Sequence, residues 1–189
     1  NKQDFKKGEQ VNIKYMEDKD IIKILNAINS KKDYYTTSSC SGRIVLLEMK
    51  SKKKNECDWI FTKHDKIKFN EIKNSLIDYH IKNKTSKNNN QILFKQQPLI
   101  LHVVCRNLDA AKKLLDRARK IFKHSGIISI NEKRVVVEIV GNERIETIIA
   151  NNDFVADENY LKQLIRYANE NFEDNKRKGK EFLRIIKGI

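Results

Sequence analysis

Apolar positions along the chain alternate between helical and strand spacing. Ile21, Ile24, Leu25 and Ile28 recur at helical intervals behind Asp18 or Asp20, either of which can cap the first turn. Phe69, Ile72, Leu76 and Tyr79 predict a second helix. Ala111, Leu114, Leu115, Ala118 and Phe122 predict a third, with Asn107 as its N-cap and Asp109 in its first turn. A long fourth helix runs from Asp157, with Tyr160, Leu164, Tyr167 or Ala168, and Phe172 as its buried stripe. Between these lie strand-like runs: RIVLLEM and CDWIFTK joined by a KSKKKNE turn, QILFK and LILHVVCR on either side of Pro98, GIISI and RVVVEIV around NEK, and ERIETII. In CDWIFTK the two-residue alternation sets Trp59 and Phe61 on one face and directs Trp59 towards the core.

The predicted order is α, ββ, α, ββ, α, βββ, α. Strands that arrive in hairpin pairs imply an α/β chain of the α+β-like kind: a mixed, largely antiparallel sheet, flanking helices and a long C-terminal helix. This is not a Rossmann arrangement. No GxGxxG follows a strand, no GxxxxGK[ST] occurs, and six glycines in all leave little for a phosphate-cradling loop. Residues 1–17 are polar and expected to be frayed, and 18–189 suit a single domain. KTSKNNNQ, 84–91, reads as a solvated loop.

Composition adds a partner class. The formal net charge is +14. Such a surplus points to a polyanion, nucleic acid before an anionic membrane, with a Lys/Asn compositional bias as the rival explanation. Cys40, Cys57 and Cys105 are sparse and include no CxxC pair, which fits a reduced, cytoplasmic compartment. No apolar run is long enough to predict a membrane span, and no secretory signal pattern opens the sequence.

The densest polar chemistry is DYYTTSSCSGRIVLL, 33–47. Ser38, Ser39 and Ser41 offer hydroxyls, Gly42 permits a positive φ, and Arg43 brings a forked donor for carboxylate or phosphate. Their backbone N–H groups are able to form an anion-binding concavity, or the hydroxyls serve their own backbone as an elaborate cap. Spacing alone leaves the two even. His64, His102 and Arg106 also lie at or near strand ends, so a shared pocket is a reasonable expectation. Cys40 beside Arg43 has the surroundings of a reactive thiol, although no cysteine-hydrolase signature accompanies it. No metal site is expected: His102 and Cys105 are three apart in a strand and point to opposite faces. Ser125 and Gly126 in KHSGIISI echo the Ser-Gly entry of the first junction, by duplication or by common turn chemistry.

Together, YYTTSSCSGRI (34–44), the Trp59–His64 spacing, LHVVCRNLDAAKKLL (101–115), KHSGIISI (123–130) and the closing YLKQLIRYANENFEDNKRKGKEF resemble the tRNA wybutosine-synthesizing protein 3 family. The resemblance implies an S-adenosylmethionine-dependent methyltransferase on an unusual α/β fold. Its implied target is N4 of the 4-demethylwyosine-type base at position 37 of tRNA-Phe, in the anticodon loop. It further implies that Ser38, Ser39, Cys40, Ser41, Gly42, Arg43, Trp59, Arg106, Ser125 and Gly126 meet cofactor or substrate. His102 or His64 is the expected proton acceptor. Lys112, Lys113, Arg117, Arg119, Lys176, Arg177 and Lys178 are the expected contacts to the tRNA backbone. A non-catalytic tRNA-binding module in the same pathway is the alternative. One departure is Ile148, where family members tend to carry proline after Glu146, and so Glu146 is not taken as a site residue.

Overall fold

A computed structural model describes residues 18–50, 57–82, 90–151 and 155–188. The expected frayed segment 1–17 and most of the 84–91 loop lie outside the described residues. The elements run α1 (Lys19–Asn29), β1 (Tyr34–Cys40), β2 (Arg43–Met49), β3 (Cys57–Lys63), α2 (Phe69–Lys82), β4 (Gln91–Gln97), β5 (Ile100–Cys105), α3 (Leu108–Ala118), β6 (Gly126–Asn131), β7 (Arg134–Val140), β8 (Ile145–Ala150) and α4 (Glu158–Lys187). One strand exceeds expectation: YYTTSSC is β1 rather than a loop ahead of β2.

The chain divides into two compact units. Unit 1 comprises Asn1–Ser41, Pro98–Asn142 and Asp174–Ile189; unit 2 comprises Gly42–Gln97 and Glu143–Glu173. Each carries one four-stranded sheet, and every pairing is antiparallel.

In unit 1 the sheet order is β1-β5-β7-β6. Leu101, Val103 and Cys105 of β5 and Val135, Val137 and Ile139 of β7 alternate onto one face. That face is covered by Ile24 and Ile28 of α1, Leu114 and Ala118 of α3, and Phe182 and Ile186 of α4. Both leading helices start as local chemistry dictates. Asp18 Oδ1 accepts from Ile21 N–H at 3.4 Å, and Asn107 Oδ1 accepts from Ala110 N–H at 2.9 Å. Tyr34, the first residue of β1, is buried and donates its hydroxyl to the Ala110 carbonyl at 3.0 Å. Burial, with Cys105 and Asp33 adding to it, pushes that phenol up to about 12.

In unit 2 the order is β3-β2-β4-β8. Ile44 and Leu46 of β2, Ile92 and Phe94 of β4, Ile72 of α2 and Leu161, Leu164, Ile165, Ala168 and Phe172 of α4 form its core. The α4 stripe keeps the expected Leu164, Ala168 and Phe172 and departs from expectation only at the tyrosines. Tyr160 and Tyr167 are exposed, while Leu161 and Ile165 take the buried places. The 161-164-165-168-172 set holds the 3.6-residue period better, and keeps both phenol hydroxyls in water.

Candidate active site

Unit 1 brings several of the predicted residues into one row across its sheet. Ser38 of β1 lies opposite His102 of β5, His102 opposite Glu138 of β7, and Glu138 opposite Gly126 of β6. Directly opposed residues share a face, so this row lies on the side of the sheet away from the hydrophobic core. His102 Nε2 is 3.0 Å from Glu138 Oε2. A Cβ built on Gly126 meets nothing within 4 Å, so the row ends in open space. Cys40 pairs with Ile100 further along the same ladder, and Cys105 points into the core, where burial pushes its thiol up to about 12. His102 and Cys105 thus face opposite ways, as their spacing requires.

The serine-rich stretch is built differently from an anion-binding loop. Ser38, Ser39 and Cys40 belong to the β1–β5 ladder, which slips by one residue at Thr37. The Ser41 N–H donates to Asp18 Oδ2 at 2.7 Å, and the Ser41 carbonyl accepts from Asn175 Nδ2 at 2.5 Å. The Ser41 N–H and carbonyl therefore already have partners and take no part in an N–H concavity, which favours the cap reading at that residue, while Ser38 and Ser39 are exposed on β1. Ser125 is also a structural residue. It is buried, and its hydroxyl donates to the Phe122 carbonyl at 2.7 Å. Arg106 pairs with Asp33 at 3.2 Å and so ties the end of β5 to the start of β1.

Unit 2 holds the remainder of the motif. Gly42 has φ 108, the only positive φ among the described residues, and its carbonyl accepts from His64 Nδ1 at 2.9 Å. A carbonyl can only accept, so Nδ1 carries the proton and Nε2 is the nitrogen able to take another. Arg43 donates from Nε to Gln97 Oε1 at 2.6 Å, and its guanidinium carbon stands 4.6 Å from the Trp59 ring centroid. Trp59 is 51% exposed, against the core position expected for it. The cause is a bulge. Leu46 pairs with Phe61 but Leu47 with Trp59, so Ile60 is the extra residue and Trp59 is turned to the face opposite Phe61. Glu146, set aside on sequence grounds, is ion-paired to Lys95 at 2.7 Å.

The family model Methyltransferase TYW3 matches residues 7–188. The chain belongs to that family. A tRNA(Phe) 7-((3-amino-3-carboxypropyl)-4-demethylwyosine(37)-N(4))-methyltransferase from Methanocaldococcus jannaschii is 38% identical over 156 residues, covering 80% of this chain and 77% of its own. A tRNA wybutosine-synthesizing protein 3 homolog from Danio rerio is 30% identical, over 96% of this chain and 69% of its own. Among solved structures, the PH1069 protein from Pyrococcus horikoshii aligns with a TM-score of 0.79 and 34% identity, covering 89% of this chain and 84% of that one. The fold is thus that of the TYW3 methyltransferases, without a Rossmann core.

For a TYW3 methyltransferase the basic residues now fall into two groups. Lys112, Lys113 and Arg117 project from α3, exposed and outside any ion pair among the described residues. Arg119, also exposed, has its Nε tied to the α3 C-terminus, donating to the Ser125 carbonyl at 2.8 Å, and keeps its outer guanidinium nitrogens for another partner. Arg177 and Lys178 share Asp174, Lys178 at 2.9 Å, and that pairing holds the Asp174 carboxyl below its usual range. Lys176 is half-buried. Two residues that matter were not singled out by the sequence: Glu138, inside a strand that reads as ordinary RVVVEIV, and Asn175, one of several polar residues in the closing block of the last helix. Glu138 is signalled only by its place opposite His102, which needs the register.

Proposed function

We propose that this chain is an S-adenosylmethionine-dependent tRNA methyltransferase of wybutosine biosynthesis, methylating N4 of the 4-demethylwyosine-type base at position 37 of tRNA-Phe. The observation that carries the reading is family membership over nearly the whole chain, with relatives of that stated activity at 38% identity. The surplus of 14 positive charges supports a polyanionic substrate. Three sparse cysteines without a CxxC pair suit work in the cytoplasm.

The donor set of unit 2 fits the cofactor's chemistry. Arg43 commits only Nε to Gln97, which leaves the outer nitrogens of its fork for a carboxylate. The half-exposed Trp59 offers an indole face to an adenine or to the tricyclic base. In unit 1, the Ser38 and Ser39 hydroxyls offer further polar contacts for the amino-acid groups of cofactor or substrate. When bound, S-adenosylmethionine supplies a methyl group already activated by its sulfonium, so alignment rather than covalent catalysis is the protein's main task.

The nucleophile is N4, and one proton must leave it. His102 accepts that proton at Nδ1, its Nε2 being turned to a carboxylate that cannot donate when ionised. His64 Nε2 is the second acceptor of suitable chemistry. The exposed α3 cations hold the phosphates of the anticodon arm.

The test is transfer of radiolabelled methyl from S-adenosylmethionine to tRNA-Phe bearing the aminocarboxypropyl intermediate. Incorporation at base 37 is expected, together with calorimetric binding of the cofactor that Arg43→Ala and Trp59→Ala each weaken about tenfold, the loss of roughly one charge-assisted contact and one stacking face respectively. No incorporation, with the tRNA still bound, would leave a binding module instead.

A further inference from the structure

We infer that Glu138 is the positioning residue for His102, fixing its tautomer and ring orientation so that Nδ1 is presented as the proton acceptor. The inference rests on His102 being that acceptor.

Geometry carries it. β5 and β7 are the two central strands of the unit 1 sheet, each hydrogen-bonded on both sides. Their ladder runs from Ile100↔Val140 to Cys105↔Val135 without a break, whereas the β1–β5 and β6–β7 ladders each slip once. His102 and Glu138 are therefore set opposite one another on the most regular part of the sheet. Beneath them Leu101, Val103, Val137 and Ile139 are fully buried and hold both backbones in place. The two side chains meet at 3.0 Å and are equally exposed, at 31% each. Glu138 has no other charged partner among the described residues, and no place in the hydrophobic cluster. Its carboxylate is thus committed to one imidazole nitrogen.

The chemistry follows from what each atom can do. A carboxylate accepts and does not donate, so Nε2 must carry the hydrogen in the contact. In the neutral ring that leaves the lone pair on Nδ1. Without Glu138 the ring exchanges tautomers and rotates, and only part of the population presents Nδ1. The open space beside Gly126 leaves this side of the row accessible to a large planar substrate.

Glu138→Gln is the discriminating variant, because an amide can accept from Nε2–H or donate to Nε2 and so no longer selects one tautomer. Expected in Glu138→Gln are a single-turnover methyl-transfer rate lowered about ten- to hundredfold, KM for tRNA and cofactor affinity within about twofold, and an unchanged melting temperature, since the effect is one of general-base alignment. Long-range proton–nitrogen NMR of labelled histidine should show a single Nε2–H form of His102 in the wild type and a mixture in the variant. Glu138→Asp, which keeps the charge, should recover part of the rate. The double variant His102→Ala, Glu138→Gln should be no slower than His102→Ala alone. Full activity in His102→Ala would remove the proton-acceptor reading itself. A slow His102→Ala beside a full-rate Glu138→Gln, an unchanged tautomer population, or additive losses in the double variant would overturn the role of Glu138 while leaving His102 in place.

Discussion

Asn175 is a sharp place to test how the serine-rich junction is held. It is fully buried on α4 and serves two backbone groups from distant parts of unit 1. Its Oδ1 accepts from Leu99 N–H at 2.8 Å, and its Nδ2 donates to the Ser41 carbonyl at 2.5 Å. Asn175→Leu keeps the volume and removes both bonds. Each orphaned buried group costs about 1–3 kcal/mol, so the pair costs about 2–6 kcal/mol. Burial of the new apolar side chain returns about 1.5–3 kcal/mol. The net loss is about 2 kcal/mol, which for a chain of this size lowers the melting temperature by about 4–8 °C. Asn175→Asp keeps the acceptor for Leu99 but cannot donate to Ser41, and it buries a charge, so it should be at least as damaging. Thermal unfolding followed by circular dichroism checks both. A melting temperature within about 1 °C of wild type for Asn175→Leu would show that water or local relaxation satisfies both groups, and would refute the assignment of Asn175 as the clamp on the turn.

Gly42→Ala forces a side chain onto φ 108 and should cost at least about 1 kcal/mol, seen as a lowered melting temperature, whereas Ser39→Ala, at an exposed position of β1, should leave it unchanged. Burial raises the Cys105 thiol to about 12 in the folded chain. The unfolded chain ionises that thiol first, so over about pH 9–12 it holds fewer protons than the native state and stability falls as pH rises. Cys105→Val should flatten this alkaline loss in urea midpoints, with Tyr34, also raised to about 12, supplying the residual slope; identical slopes would refute it. Lys112→Ala, Lys113→Ala and Arg117→Ala combined should weaken tRNA binding and reduce the slope of log affinity against log salt by about 2–3, while cofactor binding stays unchanged. Equal slopes would move the phosphate contacts elsewhere.

Helices and their starts were legible because the signals are local. Asp18 and Asn107 cap helices by bonds that span three residues, and the apolar stripes of α1 and α3 repeat within a single element. The antiparallel character followed from the short spacing between hairpin strands, and the missing glycine fingerprint excluded the dinucleotide fold. The motif blocks carry the family resemblance in the sequence alone. What the sequence could not resolve depends on partners far along the chain. That SSC forms a strand rather than a loop depends on β5, some sixty residues away, offering it a ladder. Whether Trp59 faces core or solvent turns on one bulge at Ile60, which two-residue periodicity has no means to register. Asn175 meets Ser41 across 134 residues, and Glu138 meets His102 across 36. Helical periodicity and capping are written in neighbouring residues, so composition and order determine them; strand register and the satisfaction of buried polar groups exist only between segments, and the tertiary structure decides them.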